Sequence, residues 1–368
     1  PLISLMRDQV DALNDAGLSS AYINTTQEPH EQGMVLAQAA AGQVRLLYVA
    51  PERLETERFR RFAAHVPIAL IAVDEAHCVS QWGQDFRSAY LGIGEFIASL
   101  PQRPAVAAFT ATATERVRRD IVTLLGLRDP LVTVTGFDRP NLYFDVIRLE
   151  TKHKAAWVAQ YIAAHPQDSG IVYCSTRKET EALAEAINRT VPQLRGAAGG
   201  GGAEPGPIAV AYHGGMLADQ RGRAQRDFVT DRVPVVVATN AFGMGIDKSN
   251  VSFVIHYNMP KDLEGYYQEA GRAGRDGEPA ECFLLYGSQD VALNRFLLAH
   301  GEENPDLDER TREELLHRAE ERLQAMTGYC HTTACLREYI LHYFGEHAPT
   351  QCENCHNCLG HFLEQDVT

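Results

Sequence analysis

Long apolar runs are absent from this chain of 368 residues. No run approaches the about 20 apolar residues that a helix needs to cross a bilayer, so a membrane-spanning protein is excluded. The first residue is Pro1, and no charged-then-apolar leader follows it, so nothing marks the chain for export and we expect a cytoplasmic protein. With 45% hydrophobic and 22% charged residues, the composition also excludes a fully disordered or collagen-like chain.

Lysine is scarce, since only five of the 34 basic residues are Lys. A coding bias towards GC-rich codons explains this at least as well as a function does. The net charge is −14, which argues against a uniformly basic nucleic-acid binder. Residues 289–368 hold 15 acidic and 6 basic residues, so much of the negative charge lies there and a local basic channel remains possible elsewhere.

The phosphate-binding sequence G-x-x-x-x-G-K-[ST] is missing. The only Lys-Ser pair is Lys248-Ser249, which has no such glycine pattern before it. The Gly-rich stretch 195–207 lacks a following Lys-Ser or Lys-Thr. We therefore interpret 195–207 as an inserted flexible linker and not as a phosphate cradle.

The eight cysteines divide into two groups. Three stand singly beside apolar stretches and are expected to be small buried hydrophobes: Cys78, Cys174 and Cys282. The other five lie between 330 and 358. Four of them have the close thiolate pairing of a structural Zn²⁺ site: Cys335, Cys352, Cys355 and Cys358. Disulfides are the alternative, but they are less suitable in a large chain without an export signal. Cys330 is left over and is a possible substitute ligand.

Apolar runs alternate with amphipathic stretches from residue 1 to about 288. Continuous apolar runs such as Ile68–Val73 predict strands covered on both faces, hence a parallel α/β architecture in two copies. Predicted strands are 44–49, 68–73, 105–109, 170–174, 208–211, 234–238, 252–257 and 281–286. Predicted helices are 3–16, 31–40, 54–64, 115–125, 152–165, 178–190, 216–228, 262–271, 308–326 (capped by Asp308) and 332–344. The expected domains are 1–137, 138–288 and a small helical metal-binding module at 289–368.

Two polar motifs follow predicted strands of the first domain. Asp74 and Glu75, in Asp-Glu-Ala-His77, come directly after the strand 68–73, where ligands of parallel sheets bind. One acid can hold Mg²⁺ while its neighbour deprotonates the attacking water, as nucleotide hydrolysis requires. Phe109–Thr114 ends another strand with hydroxyls that can relay between nucleotide and nucleic acid; Thr114 is alternatively a helix N-cap.

A third motif lies at 266–277, with the sequence YYQEAGRAGRDG. Its arginines, Arg272 and Arg275, are predicted to point the same way from a Gly-interrupted helix, as a clamp on a triphosphate needs. A solvated basic helix would not ordinarily contain Gly271 and Gly274, because each costs about 1 kcal/mol relative to Ala. The three motifs in this order do not arise by chance.

The chain therefore resembles the RecQ family of superfamily 2 DNA helicases, from residue 1 to about 360. The resemblance includes the aromatic-rich loop Cys78–Arg87, the segment Phe137–Asn141 and the four-cysteine module. The other matching segments are 1–10 (motif Ia), 48–54 (Ib), 73–77 (II), 109–114 (III), 170–177 (IV), 212–216, 237–247 (V) and 266–277 (VI). The resemblance implies two tandem RecA-like domains, of which the first is truncated at its N-terminus, followed by a zinc module.

The resemblance assigns roles to residues. Asp74 would bind Mg²⁺ and Glu75 would be the catalytic base, with Arg275 the arginine finger. The remaining nucleotide-site and coupling residues would be His77, Gln268, Arg272, Gly245 and Asp247. Single-stranded DNA would be sensed or coupled by Gln81, Trp82, Phe86, Arg87, Ser4, Thr110 and Thr112. Trp82 is alternatively core packing, and Gln84 stands where many relatives have His.

In this family the phosphate loop precedes motif Ia, and a winged helix follows the zinc module. We therefore expect a fragment, inactive alone, of an ATP-dependent 3′→5′ DNA helicase that acts in recombination, repair or replication. Its expected cofactors are ATP, Mg²⁺ and Zn²⁺. Its expected partners are single-stranded and duplex DNA. The aromatic loop and zinc module argue against an RNA helicase. A non-catalytic nucleic-acid-binding protein is the rival from another class.

Overall fold

The computed structural model describes residues 2–81, 86–196, 206–243, 248–299 and 309–360, without the side chains of residues 2–5 and 8. Two compact units, 1–135 and 136–368, make up the chain. No helix in the described ranges is long and apolar enough to cross a membrane.

The first unit contains two short parallel sheets among its described residues. Strands β1 (Ser20–Ile23) and β2 (Leu46–Val49) pair in one, and β3 (Leu70–Val73) and β4 (Ala105–Ala108) pair in the other. The helices are α1 (Leu2–Asp15), α2 (Pro29–Ala40), α3 (Glu57–His65), α4 (Ser88–Ser99) and α5 (Glu115–Leu124). The side chain of Thr114 accepts a hydrogen bond from the Val117 backbone N–H at 3.5 Å, which confirms that Thr114 caps α5.

The strand β3 corrects one expectation. The apolar run Ile68–Val73 predicts a strand covered on both faces, but Leu70 is 58% exposed and only Val73 of the strand is buried. Within the described residues β3 pairs with β4 alone, so a two-stranded sheet leaves one of its faces open. Hydrophobic composition identified the strand correctly but not its burial.

The second unit is built on one six-stranded parallel sheet. The strands are β5 (Leu142–Arg148), β6 (Gly170–Tyr173), β7 (Ala209–Tyr212), β8 (Val235–Ala238), β9 (Phe253–His256) and β10 (Ala280–Tyr286). They lie in the order β5-β10-β9-β6-β8-β7. The helices are α6 (Thr151–Ala164), α7 (Arg177–Leu194), α8 (Ala218–Val229), α9 (Leu263–Ala270), α10 (Ser288–Ala299), α11 (Glu309–His331), α12 (Leu336–Tyr343) and α13 (His356–Leu359).

Both faces of this sheet are buried. Val172 of β6 belongs to the core that includes residues of α6 and α7 on one face, whereas its neighbour Ile171 belongs to the core that includes residues of α8, α9, α11 and α12 on the other. All four residues of β8 are buried, as a continuous apolar strand predicts. Helices α11 and α12 therefore share a core with the sheet, and both are part of the second unit.

Candidate functional site

In the first unit, the DEAH residues leave the carboxyl end of β3. Asp74 is exposed, and its Oδ1 accepts a hydrogen bond from the Glu75 backbone N–H at 2.9 Å. Glu75 has a left-handed backbone (φ 48°, ψ 44°), a conformation that costs a non-glycine residue free energy. This bend turns the chain sharply between the strand and the buried turn Ala76–Val79. Two carboxylates are thus presented at the edge where parallel sheets bind ligands.

His77 joins this motif to the hydroxyls that follow β4. Its side chain is 3% exposed, and Nδ1 lies 3.0 Å from Thr110 Oγ1 and 3.3 Å from Glu75 Oε2. Thr110 Oγ1 also lies 3.2 Å from the carbonyl oxygen of Thr112, to which it donates. The backbone supports this arrangement, because the Ala76 N–H donates to the Phe109 carbonyl at 2.9 Å. One buried imidazole therefore contacts both Glu75 and Thr110 of the 109–112 segment.

Tyr90 is a further residue at this edge, and it was missed from the sequence. Tyr90 lies on α4, and its hydroxyl donates a hydrogen bond to the Asp74 carbonyl at 3.3 Å. Burial raises the pKa of Tyr90 above the usual range, so the hydroxyl stays a neutral donor. The segment containing α4 carries Gly92 and Gly94, which hid the helical pattern. Of the predicted aromatic loop, Gln81, Phe86 and Arg87 are described and half-buried, whereas Trp82 lies outside the described residues.

The arginine motif of the second unit differs from its prediction. Helix α9 ends at Ala270 with Gly271 as its C-cap, and Gly274 has a φ of +55°, so Arg272 and Arg275 lie in a turn after the helix and not on a helix face. Gln268 is inside α9 and half-buried, as is Arg272, while Arg275 is exposed. Of the other predicted residues, Gly245 and Asp247, and the side chain of Ser4, lie outside the described part.

Arg272 lies against the segment that follows β8. A Cβ atom at Gly243 would come within 2.9 Å of Arg272 Nη2, so a larger residue there would require the guanidinium group to shift. Burial raises the pKa of Tyr173, and the neighbouring Arg272 guanidinium opposes that rise. His256 is buried and stacks on Tyr173, and its Nε2 contacts Glu269 Oε2 at 2.9 Å, a pair that periodicity alone did not reveal. Arg272 therefore lies close to the segment after β8 and to Tyr173 of β6.

The four predicted cysteines meet in one cluster. The sulfur atoms of Cys335, Cys352, Cys355 and Cys358 all lie within 4.8 Å of one another, and two pairs are 3.9 Å apart. Tetrahedral Zn²⁺ with Zn–S bonds of about 2.3 Å requires sulfurs about 3.8 Å apart. The cluster therefore has the dimensions of a closed four-thiolate zinc site.

Local structure places these thiols. Cys335 is the N-cap of α12 and accepts a hydrogen bond from the Glu338 N–H at 3.4 Å, while Cys355 precedes α13. Burial raises the pKa of the Cys335 thiol to about 12, so a cation is needed to hold the thiolate there. All eight cysteines lie in the described part of the chain, and none of them forms a disulfide there. Cys330 is buried on α11 and does not belong to the cluster, so the substitute-ligand alternative is not supported.

Three family profiles match the chain. They are described as DEAD/DEAH box helicase (residues 1–121), helicase conserved C-terminal domain (153–277) and RecQ zinc-binding (288–359). The cysteine cluster lies inside the last of these. Zn²⁺ and ATP are therefore the ligands that the matched domains and the cluster support.

Similar whole proteins agree with these profiles. The ATP-dependent DNA helicase RecQ of Bacillus subtilis is 43% identical over all of this chain, which covers 58% of that protein. RecQ of Pasteurella multocida is 41% identical over 98% of the chain and 52% of its own length. The chain thus spans a little over half the length of these curated relatives. The helicase MrfA, solved with DNA and AMPPNP, matches 88% of the chain and 47% of its own at a TM-score of 0.62 and 19% identity, which shows the common fold.

Proposed function

Since the chain belongs to the RecQ family of superfamily 2 helicases, we propose that it forms the motor and zinc module of an ATP-dependent 3′→5′ DNA helicase. The observation that carries the proposal is the contact of His77 with both Glu75 and Thr110. This contact joins the acid that would activate water to the hydroxyl segment expected to respond to nucleic acid. A helicase needs such a connection, because ATP hydrolysis must be tied to movement on the strand.

Glu75 acts as the general base for the attacking water. A carboxylate within hydrogen-bond reach of water takes its proton as the bond to the γ-phosphorus forms. Asp74, exposed beside it, would hold Mg²⁺, whose positive charge neutralises the phosphate oxygens. His77 keeps Glu75 oriented from the buried side.

Charge on the transferring phosphoryl group is stabilised by arginine. We assign Arg275 the role of arginine finger, because it is exposed and held by a turn with a left-handed glycine. Arg272 and Gln268 support the same nucleotide, and Gly245 and Asp247 of motif V contribute to its binding. A planar guanidinium suits this role because it can bind two phosphate oxygens at once.

DNA contacts are assigned to the other predicted residues. Trp82 and Phe86 would stack on bases of single-stranded DNA, and Arg87 would bind a phosphate. Gln81 relays the state of this loop to the nucleotide site. Ser4 contacts the strand, and Thr110 and Thr112 relay between the strand and the nucleotide. The helicase would engage both single-stranded and duplex DNA.

The substitution Glu75→Gln tests the proposal, in the protein at its full natural length. The carboxamide keeps the shape of the side chain but cannot accept the proton of water, so DNA-stimulated ATP hydrolysis should fall by about 10²–10⁴-fold while nucleotide binding survives. The exposed Glu95→Gln on α4 is the matched control and should retain the unmutated rate. Hydrolysis by Glu75→Gln near the unmutated rate would remove Glu75 from the base role.

The alternative function is non-catalytic binding of nucleic acid. In that case neither ATP hydrolysis nor its stimulation by DNA would be detected in the unmutated protein, while DNA would still be bound. Stimulation by RNA and not by DNA would instead indicate an RNA helicase.

A further inference from the structure

The segment Phe137–Asn141 lies between the zinc module and the turn that carries the two arginines, all within the second unit. Two of its side chains, Arg139 and Asn141, are directed at the turn, while its backbone is held by the zinc module. These contacts suggest a role for the segment in catalysis as well as in folding.

Arg139 binds the carbonyl groups of the turn. Its Nη1 donates to the Gly271 carbonyl at 3.2 Å, and its Nη2 donates to the carbonyls of Ala273 and Gly274 at 3.0 and 2.9 Å. These carbonyls follow the C-terminus of α9, where backbone acceptors lack helical partners and a positive charge is favourable. One guanidinium thus fixes the backbone on both sides of Arg272 and next to Arg275.

Asn141 also forms hydrogen bonds with the backbone of the turn. Its Nδ2 donates to the carbonyls of Gly274 and Glu278 at 2.9 and 2.8 Å. Gly274 is left-handed, and a Cβ atom there would lie 2.8 Å from the Glu278 carbonyl oxygen, so no larger residue fits between these contacts. The turn has few conformations open to it while Arg139 and Asn141 are in place.

The zinc module holds Arg139 itself. Arg337, two residues after the zinc ligand Cys335, is 5% exposed and donates to Asp138 Oδ1 at 2.9 Å and to the Arg139 and Leu142 carbonyls at 2.5 Å each. Asn354, between two other zinc ligands, donates to the Pro140 carbonyl at 2.8 Å. A continuous set of hydrogen bonds therefore runs from the cysteine cluster to the arginine turn.

We propose that Arg139 is a positioning residue for Arg275, and that the zinc module keeps Arg139 in place through Arg337. The inference rests on the proposed role of Arg275 as the arginine finger. Arg139 touches no reacting atom; it sets where the turn can place the finger. Misplacing a stabilising charge lowers the rate of the chemical step more than it lowers ground-state binding of the substrate.

The test is a double-mutant cycle on DNA-stimulated ATP hydrolysis in the protein at its full natural length. Arg139→Ala should lower kcat about 10- to 100-fold and change the KM for ATP less than threefold, with one Zn²⁺ per chain retained. Arg139→Lys, which keeps the charge but not the forked geometry, should recover part of kcat. The exposed Arg189→Ala on α7 is the control and should behave as the unmutated protein.

The double variant separates the possible causes. If Arg139 acts through Arg275, then adding Arg139→Ala to Arg275→Ala should lower kcat less than twofold further. Losses that multiply, or a normal kcat in Arg139→Ala, would overturn the inference while leaving the proposed function intact. A normal kcat in Arg275→Ala would instead contradict the proposed role of the finger, and the inference with it.

Discussion

Glu264 makes the stability of the second unit depend on pH. It lies in the first turn of α9, is 6% exposed, and accepts a hydrogen bond from the Tyr343 hydroxyl at 2.6 Å. Among the described residues, its Oε2 has no hydrogen-bond partner. Burial, and then the neighbouring Asp262 carboxylate, raise the pKa of Glu264 to about 7, although Tyr343 and Arg322 oppose the rise.

The direction in which stability changes with pH follows from the raised pKa of Glu264. A carboxyl group whose pKa is higher in the folded than in the unfolded state stabilises the fold fully below the unfolded value and loses that contribution as pH rises through the folded one. Glu264→Gln keeps the acceptor for Tyr343 and removes the ionisation. The variant should therefore gain stability relative to the unmutated protein by roughly 2–3 kcal/mol between pH 5 and pH 8.

Urea unfolding at pH 5 and pH 8, followed by circular dichroism, measures this difference. The exposed Glu313→Gln on α11 is the control, and its stability relative to the unmutated protein should not change with pH. If Glu264→Gln and the unmutated protein differ by the same amount at both pH values, the raised pKa is wrong.

Three further predictions concern the loop, the metal and the turn. Trp82→Ala should keep most DNA affinity, because phosphate contacts supply much of it, but should abolish stimulation of the ATPase by single-stranded DNA; normal stimulation would mean that Trp82 only packs. Cys352→Ser should release one Zn²⁺ per chain, measured by metal analysis, and make residues 289–368 sensitive to protease, whereas Cys330→Ser should keep its zinc. Unmutated protein that is purified without chelator and contains no zinc would refute the site. Gly274→Ala should lower the melting temperature more than Gly277→Ala, since both are left-handed but only Gly274 has neighbours within 4 Å of an added Cβ; equal losses would contradict the close packing of the turn.

The parallel strands could be read from the sequence where hydrophobic runs are long. The runs 234–238 and 252–257 contain the buried strands β8 and β9, because a strand buried on both faces needs apolar side chains throughout. Strand β5 was missed, since Asp145 interrupts its apolar run and the preceding Pro-Asn suggests a loop. Strand β1 was missed because the polar Ser20 and Asn24 leave a run of only three apolar residues between them.

Glycine explains other differences. Helix α4 was missed because Gly92 and Gly94 weaken its helical signal, yet an added Cβ at Gly94 would collide with the Leu124 carbonyl of α5, so glycine permits the two helices to approach. The same reasoning applies to the arginine motif. Gly271 and Gly274 were read as interruptions of a helix, whereas they end it and turn the chain.

The cysteine cluster was fully predictable, because ligand spacing specifies a metal site directly. The contacts of Arg139 and Arg337 were not, since they join residues 132 to 199 positions apart and mostly involve backbone carbonyls. No local pattern in a single sequence records such partners. Tyr90 was missed because its hydroxyl binds the main-chain carbonyl of Asp74, and no side-chain motif records such a contact.

Unwinding of tailed duplexes tests the proposed function most directly. The protein at its full natural length is mixed with ATP, Mg²⁺ and a DNA duplex that has a single-stranded tail on either the 3′ or the 5′ side, and strand separation is followed by fluorescence. We expect ATP-dependent separation of the 3′-tailed DNA duplex and little separation of the 5′-tailed duplex or of an RNA duplex. Failure to separate the 3′-tailed DNA, or faster separation of the RNA duplex, would contradict this expectation.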